Sequence, residues 1–364
     1  MIRQALAIGV ALLLVSCGTR LEDEQGAASA SGRESVRPSE PTIAFIEVGT
    51  DPVIREDRPA YLRFPGQAPV QIGSGQQFAT AGPGTLLLER FNGHVQAFGV
   101  ASAATVIYDR MNQGGPPRGL AFSGEIYELQ QGRLVSTDAR GATREVDVPS
   151  AVVGPLRPEA LCGYEKVMFN LNASTVWGVT AIGAHLFVFS ATPANGAIFD
   201  ITDGRRLDLP GSGNALAISG GGDGKLYVIT AEQKCGSHQL IVRRIDPVTM
   251  REEASIETAR TFPFVRVDLV SSAAGTTYAH LVTDNRAELL RIDARSVIPI
   301  ALPRDSGLLS SAAPDGSIWF FGGRARNALS RLDPATGQVE RSVAADAPGG
   351  AFVGAVLFHS AGGR

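Results

Sequence analysis

Charge of one sign, lysine, tryptophan, long apolar runs and helical periodicity are all scarce in this chain, and each shortage removes a class of protein. Its 33 basic and 36 acidic side chains leave a formal net charge of −3, so no basic surface excess points to nucleic acid or to an acidic membrane surface. Lys166, Lys225 and Lys234 are the only lysines. Arginine-mediated recognition would produce that bias, but beside so much alanine and glycine a GC-rich genome is the blander cause. The leading apolar run, Ala5 to Val15, falls well short of the roughly 20 residues a membrane-crossing helix needs. Beyond residue 41 no stretch sustains the period of an amphipathic helix. What remains is a 364-residue chain, 44% hydrophobic, able to bury a large core as one big domain or two ordinary ones.

The amino terminus carries a specific motif. Arg3 gives a basic start, Ala5 to Val15 an apolar core, and Leu14-Val15-Ser16-Cys17 closes it. This resembles the signal and lipobox of bacterial lipoproteins. The resemblance covers residues 1–20 and implies that Cys17 takes a diacylglycerol, that residues 1–16 are removed, and that the new terminus is acylated. Several acyl chains together make a stable anchor, at about 0.8 kcal/mol per buried CH₂. Gly18 follows the cysteine where that family's inner-membrane retention signal places Asp, so an outer membrane is the expected address if the cell has two. Residues 17–41 are Ser, Ala, Gly, Glu and Arg with almost no large apolar residue. They cannot repay their ordering entropy and are expected to be a lipidated flexible tether, leaving 42–364 as the folded domain.

Within 42–364 short β-rich runs recur behind glycine. Gly84, Gly124, Gly224, Gly275 and Gly316 lead them directly, Gly183 leads Leu186-Phe187 with one extra residue, and Gly354 leads Val356-Leu357. Successive spacings are 40, 59, 41, 51, 41 and 38. A period near that length with several short strands per unit predicts an all-β chain, a β-propeller. Each glycine supplies the positive φ of a tight hairpin and each run a strand packed between neighbouring sheets. A second mark recurs in Arg244-Ile245-Asp246-Pro247, Arg291-Ile292-Asp293-Ala294 and Arg331-Leu332-Asp333-Pro334, with Thr137-Asp138-Ala139 a weaker copy. These aspartates occur one per unit, too far apart to share a metal, and are read as turn residues between outer strands. Gly220-Gly221-Gly222-Asp223-Gly224-Lys225 fails as a phosphate loop, because Ser219 and Leu226 break the motif and no helix pattern follows.

Seven glycine landmarks imply seven blades, with six plus a separate N-terminal hairpin as the alternative. Too few residues follow Gly354 to complete a blade, so strands at 43–48 and 61–64 are expected to finish the last one and remove the open sheet edges.

The stretch Pro314 to Gly337 resembles a blade of the NHL and streptogramin-lyase propellers, and its Leu332-Asp333-Pro334-Ala335-Thr336-Gly337 tail resembles the repeats of quinoprotein-like propellers, envelope assembly lipoproteins included. Fold analogy says little about chemistry. The lyase resemblance would call for an acidic residue shortly after the aromatic pair, where Phe321-Gly322-Gly323 follows Trp319-Phe320. A lyase- or lactonase-type enzyme would also need converging His, Glu or Asp, usually around a divalent ion. His185, His280 and His359 are the candidates, but they fall in three different blades and read better as packed or surface residues. A quinone-dependent dehydrogenase would need tryptophans repeated on the blades, and only Trp177 and Trp319 exist. No catalytic residue, resident metal or cofactor is therefore assigned. The expected function is a non-catalytic binding or scaffold platform, anchored to the membrane by lipid and presenting variable loops to a protein or glycan partner.

If Cys17 is lipidated, Cys162 and Cys235 are the two cysteines left in an oxidising compartment and are expected to form a disulfide, two unrelated buried thiols being the alternative. Cys162 lies in the insertion between Ser150 and Trp177, Cys235 between the second and third strands of a nearby blade. A bridge would pin an insertion carrying Tyr164, Lys166 and Phe169 as plausible contact residues and reduce the entropy lost on binding.

Overall fold

The computed structural model describes residues 41–47, 56–81, 84–100, 104–111, 119–151, 175–192, 195–210, 214–234, 237–262, 266–271, 276–282, 287–302, 308–313, 316–321, 328–333, 336–344 and 351–357. All fall within one compact unit, Pro38–Arg364. Among them there is no helix, and hence none long and apolar enough to cross a membrane.

The strands pair into four-stranded antiparallel sheets, seven among the described residues. In chain order the first complete one holds β4 (Gln77–Thr80), β5 (Thr85–Glu89), β6 (His94–Val100) and β7 (Ala104–Met111). Next come β8 (Gly119–Phe122), β9 (Glu125–Gln130), β10 (Arg133–Thr137) and β11 (Thr143–Glu145), then β12 (Thr175–Ile182), β13 (His185–Ala191), β14 (Asn195–Asp200) and β15 (Arg205–Pro210). β16 (Asn214–Gly220), β17 (Leu226–Lys234), β18 (Ser237–Asp246) and β19 (Arg251–Phe262) form the longest-stranded sheet. β20 (Arg266–Ser271), β21 (Thr277–Val282), β22 (Ala287–Asp293) and β23 (Ser296–Ile300) follow, and then β24 (Leu308–Ala312), β25 (Ile318–Phe321), β26 (Ala328–Asp333) and β27 (Gln338–Ala344). The remaining sheet draws on both ends of the unit: β28 (Ala351–Leu357) pairs with β1 (Thr42–Glu47), which pairs with β2 (Arg58–Arg63), which pairs with β3 (Val70–Gly75).

Local chemistry explains the hairpins. At the first turn of a sheet the backbone must enter the left-handed region, and Gly124 (φ 81°) and Gly224 (φ 74°) do so without a Cβ to clash. Where the second strand is buried on both faces it reads as an unbroken apolar run. Leu86, Leu87 and Leu88 of β5 and Phe187, Val188 and Phe189 of β13 are fully buried. The core lies between sheets. Phe187 and Phe189 pack with Ile218, Leu226, Val228 and Ile245 of the neighbouring sheet, and burying each such ring contributes about 1.5–3 kcal/mol.

Gly354 departs from the expectation that it opens a hairpin. It lies inside β28, a first strand, at a bulge where the partner register steps from Ala44↔Ala355 to Phe45↔Val353. A residue without a side chain fits a bulge as readily as a turn, so the local sequence does not tell the two apart.

First strands meet across sheets. β4 touches β8, β8 touches β12, β12 touches β16, β16 touches β20, β20 touches β24, β24 touches β28, and β28 touches β4. Small, successive antiparallel sheets in contact through their first strands are the arrangement of a propeller-like all-β fold.

Candidate functional site

Antiparallel alternation sorts the turns. The turns joining first to second and third to fourth strands leave one end of the sheets, and the second-to-third turns and the links between sheets leave the other. Charged side chains gather at the first of these ends.

In three of the sheets an aspartate at the end of the third strand organises the turn that follows. Asp246 Oδ1 accepts the amides of Val248 and Thr249, each at 2.8 Å. Asp138 Oδ1 accepts those of Arg140 (2.8 Å) and Ala142 (2.9 Å). Asp200 Oδ1 accepts those of Thr202 (3.1 Å) and Asp203 (3.3 Å). These are Asx turns, the chemistry expected of the repeated aspartates.

In the β16–β19 sheet the second carboxylate oxygen of Asp246 meets a cation. Lys225 Nζ donates to Asp246 Oδ2 at 2.5 Å and to Glu253 Oε1 at 2.6 Å. Arg244 pairs with Glu253 and, at 3.0 Å, with Asp223 Oδ2, which also accepts the Tyr227 hydroxyl at 2.9 Å. The Lys225 hydrogen bond and then the Thr249 amide hold the Asp246 carboxyl well below the usual carboxylate range. The same hydrogen bond raises the Lys225 ammonium, while burial and then the Asp223 bond raise the Tyr227 phenol.

The neighbouring β12–β15 sheet carries a different cluster. His185, first residue of β13, places Nδ1 3.0 Å from Asp200 Oδ2 and 3.5 Å from Asp203 Oδ2. Asp200 is fully buried, whereas the side chains of His185 and Asp203 are 38% and 46% exposed. Arg205 Nη2 bonds Asp200 Oδ2 and stands 3.5 Å from both Asp203 Oδ2 and His185 Nδ1, and Arg205 Nη1 donates to the carbonyl of Val248 in the next sheet. His185, Asp200 and Asp203 form the one group of three potential metal-ligating side chains among the described residues.

Of the residues expected from sequence to matter, Cys17, Cys162, Tyr164, Lys166, Phe169, Cys235 and His359 lie outside the described residues. The strands flanking Cys235 pair as far as Lys234↔Ser237. His280 is fully buried in β21, edge-on to Phe320 with ring centroids 6.3 Å apart. His185 and His280 thus sit in different sheets and are not brought together. Asp200, Asp203 and Arg205 were missed from sequence. Asp200-Ile201-Thr202-Asp203-Gly204 does carry the signal, an aspartate opening a short turn ahead of Arg205.

No known protein family matches this sequence, and no curated protein matches it. Among solved structures, apo AztD from Citrobacter koseri is 13% identical, with 89% of this chain and 84% of that one covered at a TM-score of 0.47. A luciferin-regenerating enzyme is 11% identical, covering 78% and 91% at 0.42. A puromycin-hydrolyzing peptidase of Mycobacterium tuberculosis is 11% identical, covering 75% of this chain and 46% of that one at 0.47. Likenesses this remote say nothing of what this chain binds or does. By its own sheets the described unit belongs to the class of all-β proteins with a propeller-like arrangement.

Proposed function

We propose that this protein is a lipid-anchored envelope lipoprotein whose domain is a closed seven-bladed β-propeller acting as a non-catalytic binding platform. Lipid on Cys17 ties it to the membrane, the outer one where the cell has two, and residues 17–41 act as the tether. One observation carries the platform reading: the unbroken cycle of contacts among first strands, from β4 round to β28 and back to β4, which supports a rigid frame for its loops. The β28–β1 pairing supports closure by the N-terminal strands. On that frame the 152–174 connection, pinned by a Cys162–Cys235 disulfide, presents Tyr164, Lys166 and Phe169 to a protein or glycan partner.

Photo-crosslinking in intact cells tests this. A crosslinker at 164 or 169 is expected to capture a discrete partner and one at Val248, in the turn between β18 and β19, is not. Capture only at 248, or at none of the three, overturns the platform reading. Mass spectrometry of the mature terminus should find acylated Cys17, and non-reducing peptide mapping the 162–235 crosslink; an unmodified start downstream of residue 17, or two alkylatable thiols in the native protein, overturns the respective part.

A further inference from the structure

In both charged sheets the aspartate that ends the third strand is met by a side chain from the head of the second. In the β16–β19 sheet that side chain is Lys225, an ammonium that can only donate, so the clasp is complete in itself. In the β12–β15 sheet it is His185, whose ring nitrogen can hold a lone pair, and Asp203 adds a second carboxylate. Two carboxylates then face one guanidinium, leaving a negative charge over when His185 is neutral.

The geometry suits a small cation. The three ligand atoms lie within 4.8 Å of one another, with His185 Nδ1 at 3.0 and 3.5 Å from the two carboxylate oxygens. Atoms bound at about 2.0–2.2 Å to one ion stand roughly 3–3.5 Å apart. Asp200 is buried and its Oδ1 is committed to two backbone amides, so Oδ2 is fixed toward the cluster, as outer hydrogen bonds orient metal ligands. Arg205 is part of the same arrangement. Its Nη2 contacts all three ligand atoms and so already places positive charge at their focus, while Nη1 is held by Val248 O and gives the side chain an anchor when it yields that place. Exposure of His185 and Asp203 leaves room for water to complete a coordination shell.

We propose that His185 Nδ1, Asp200 Oδ2 and Asp203 Oδ2 bind a divalent first-row transition cation, and that Arg205 is the displaceable counter-ion holding the site in its absence. One imidazole with two carboxylates favours ions of the zinc or manganese kind over calcium or magnesium. This stands apart from the platform reading, since it involves neither the anchor nor a partner.

Full-chain protein stripped with chelator and titrated separately with Zn²⁺ and Mn²⁺ by calorimetry tests it. At least one ion is expected to bind at one saturable site per chain. His185→Ala and Asp203→Asn, both at partly exposed positions, should each weaken it about tenfold or more. Arg205→Gln should tighten it, and Lys225→Ala in the adjacent cluster should leave it unchanged. Absence of saturable binding in the wild type overturns the proposal, also if Arg205→Gln binds, because Arg205 is then the site's permanent cation. Binding that survives both His185→Ala and Asp203→Asn overturns it too, by placing the ion elsewhere.

Discussion

Gly178 of β12 and Ile218 of β16 approach so closely that a Cβ added at 178 would stand 2.5 Å from the Ile218 Cγ2 methyl. The residue before it, Trp177, is bulged out of the register between Val176 and Gly178 and is 45% exposed. Gly220 repeats the device from the other strand, where a Cβ would meet Ile182 Cγ1 at 2.9 Å and the Ala181 carbonyl at 3.1 Å. Neighbouring sheets thus crowd at their first strands, and glycine is what lets them.

It follows that Gly178→Ala should destabilise the domain by about 1–3 kcal/mol through overpacking. Ile218→Ala in the same background should return part of that loss, because the two residues are in contact and their effects are not additive. Urea unfolding midpoints of the two single variants and the double variant measure it. A Gly178→Ala protein with the wild-type midpoint would show that the strands are not so close.

The union of β28 with β1 makes a second prediction. Phe45 is fully buried in β1 and stacks on Tyr61 of β2 with centroids 5.3 Å apart. Phe45→Ala should cost about 3–5 kcal/mol, and deletion of residues 42–66 should expose two strand edges and bring aggregation or unfolding. Thermal melts and size-exclusion chromatography report both. A truncated protein that keeps its melting temperature refutes closure by the N-terminal strands.

The Lys225–Asp246 clasp predicts a pH dependence. The folded Asp246 carboxyl titrates below its unfolded value of about 4, so its contribution is whole above that value and fades as pH falls through the folded one. The folded Lys225 ammonium titrates above its unfolded value of about 10.4, so its share is whole at neutral pH and lost only in strong alkali. Asp246→Asn keeps an oxygen for the Val248 and Thr249 amides but loses the charge. Its melting temperature should therefore lie below wild type from neutral pH down to about 4 and converge with it in stronger acid. A constant difference across that range would mean the carboxylate charge is not what matters.

Much of the strand pattern was legible because it is local. A hairpin glycine such as Gly224, the apolar run after it, and an aspartate such as Asp246 with its two amides act within a few residues. The same locality explains the misreading of Gly354, whose freedom serves a bulge as well as a turn. Which it serves depends on β1, from the far end of the domain.

The sequence by itself determined that this is an all-β chain of repeated short antiparallel strands with Asx turns, since those features follow from backbone preferences and side-chain reach at each site. The sequence also pointed to N-terminal strands completing the last sheet, but only the tertiary structure decided the register in which β28 meets β1 and that His185, Asp200, Asp203 and Arg205 converge. Pairing register and convergence come from burial of runs such as Phe187-Val188-Phe189 against the next sheet, an energy spread over residues far apart in sequence. No motif of a few residues records it.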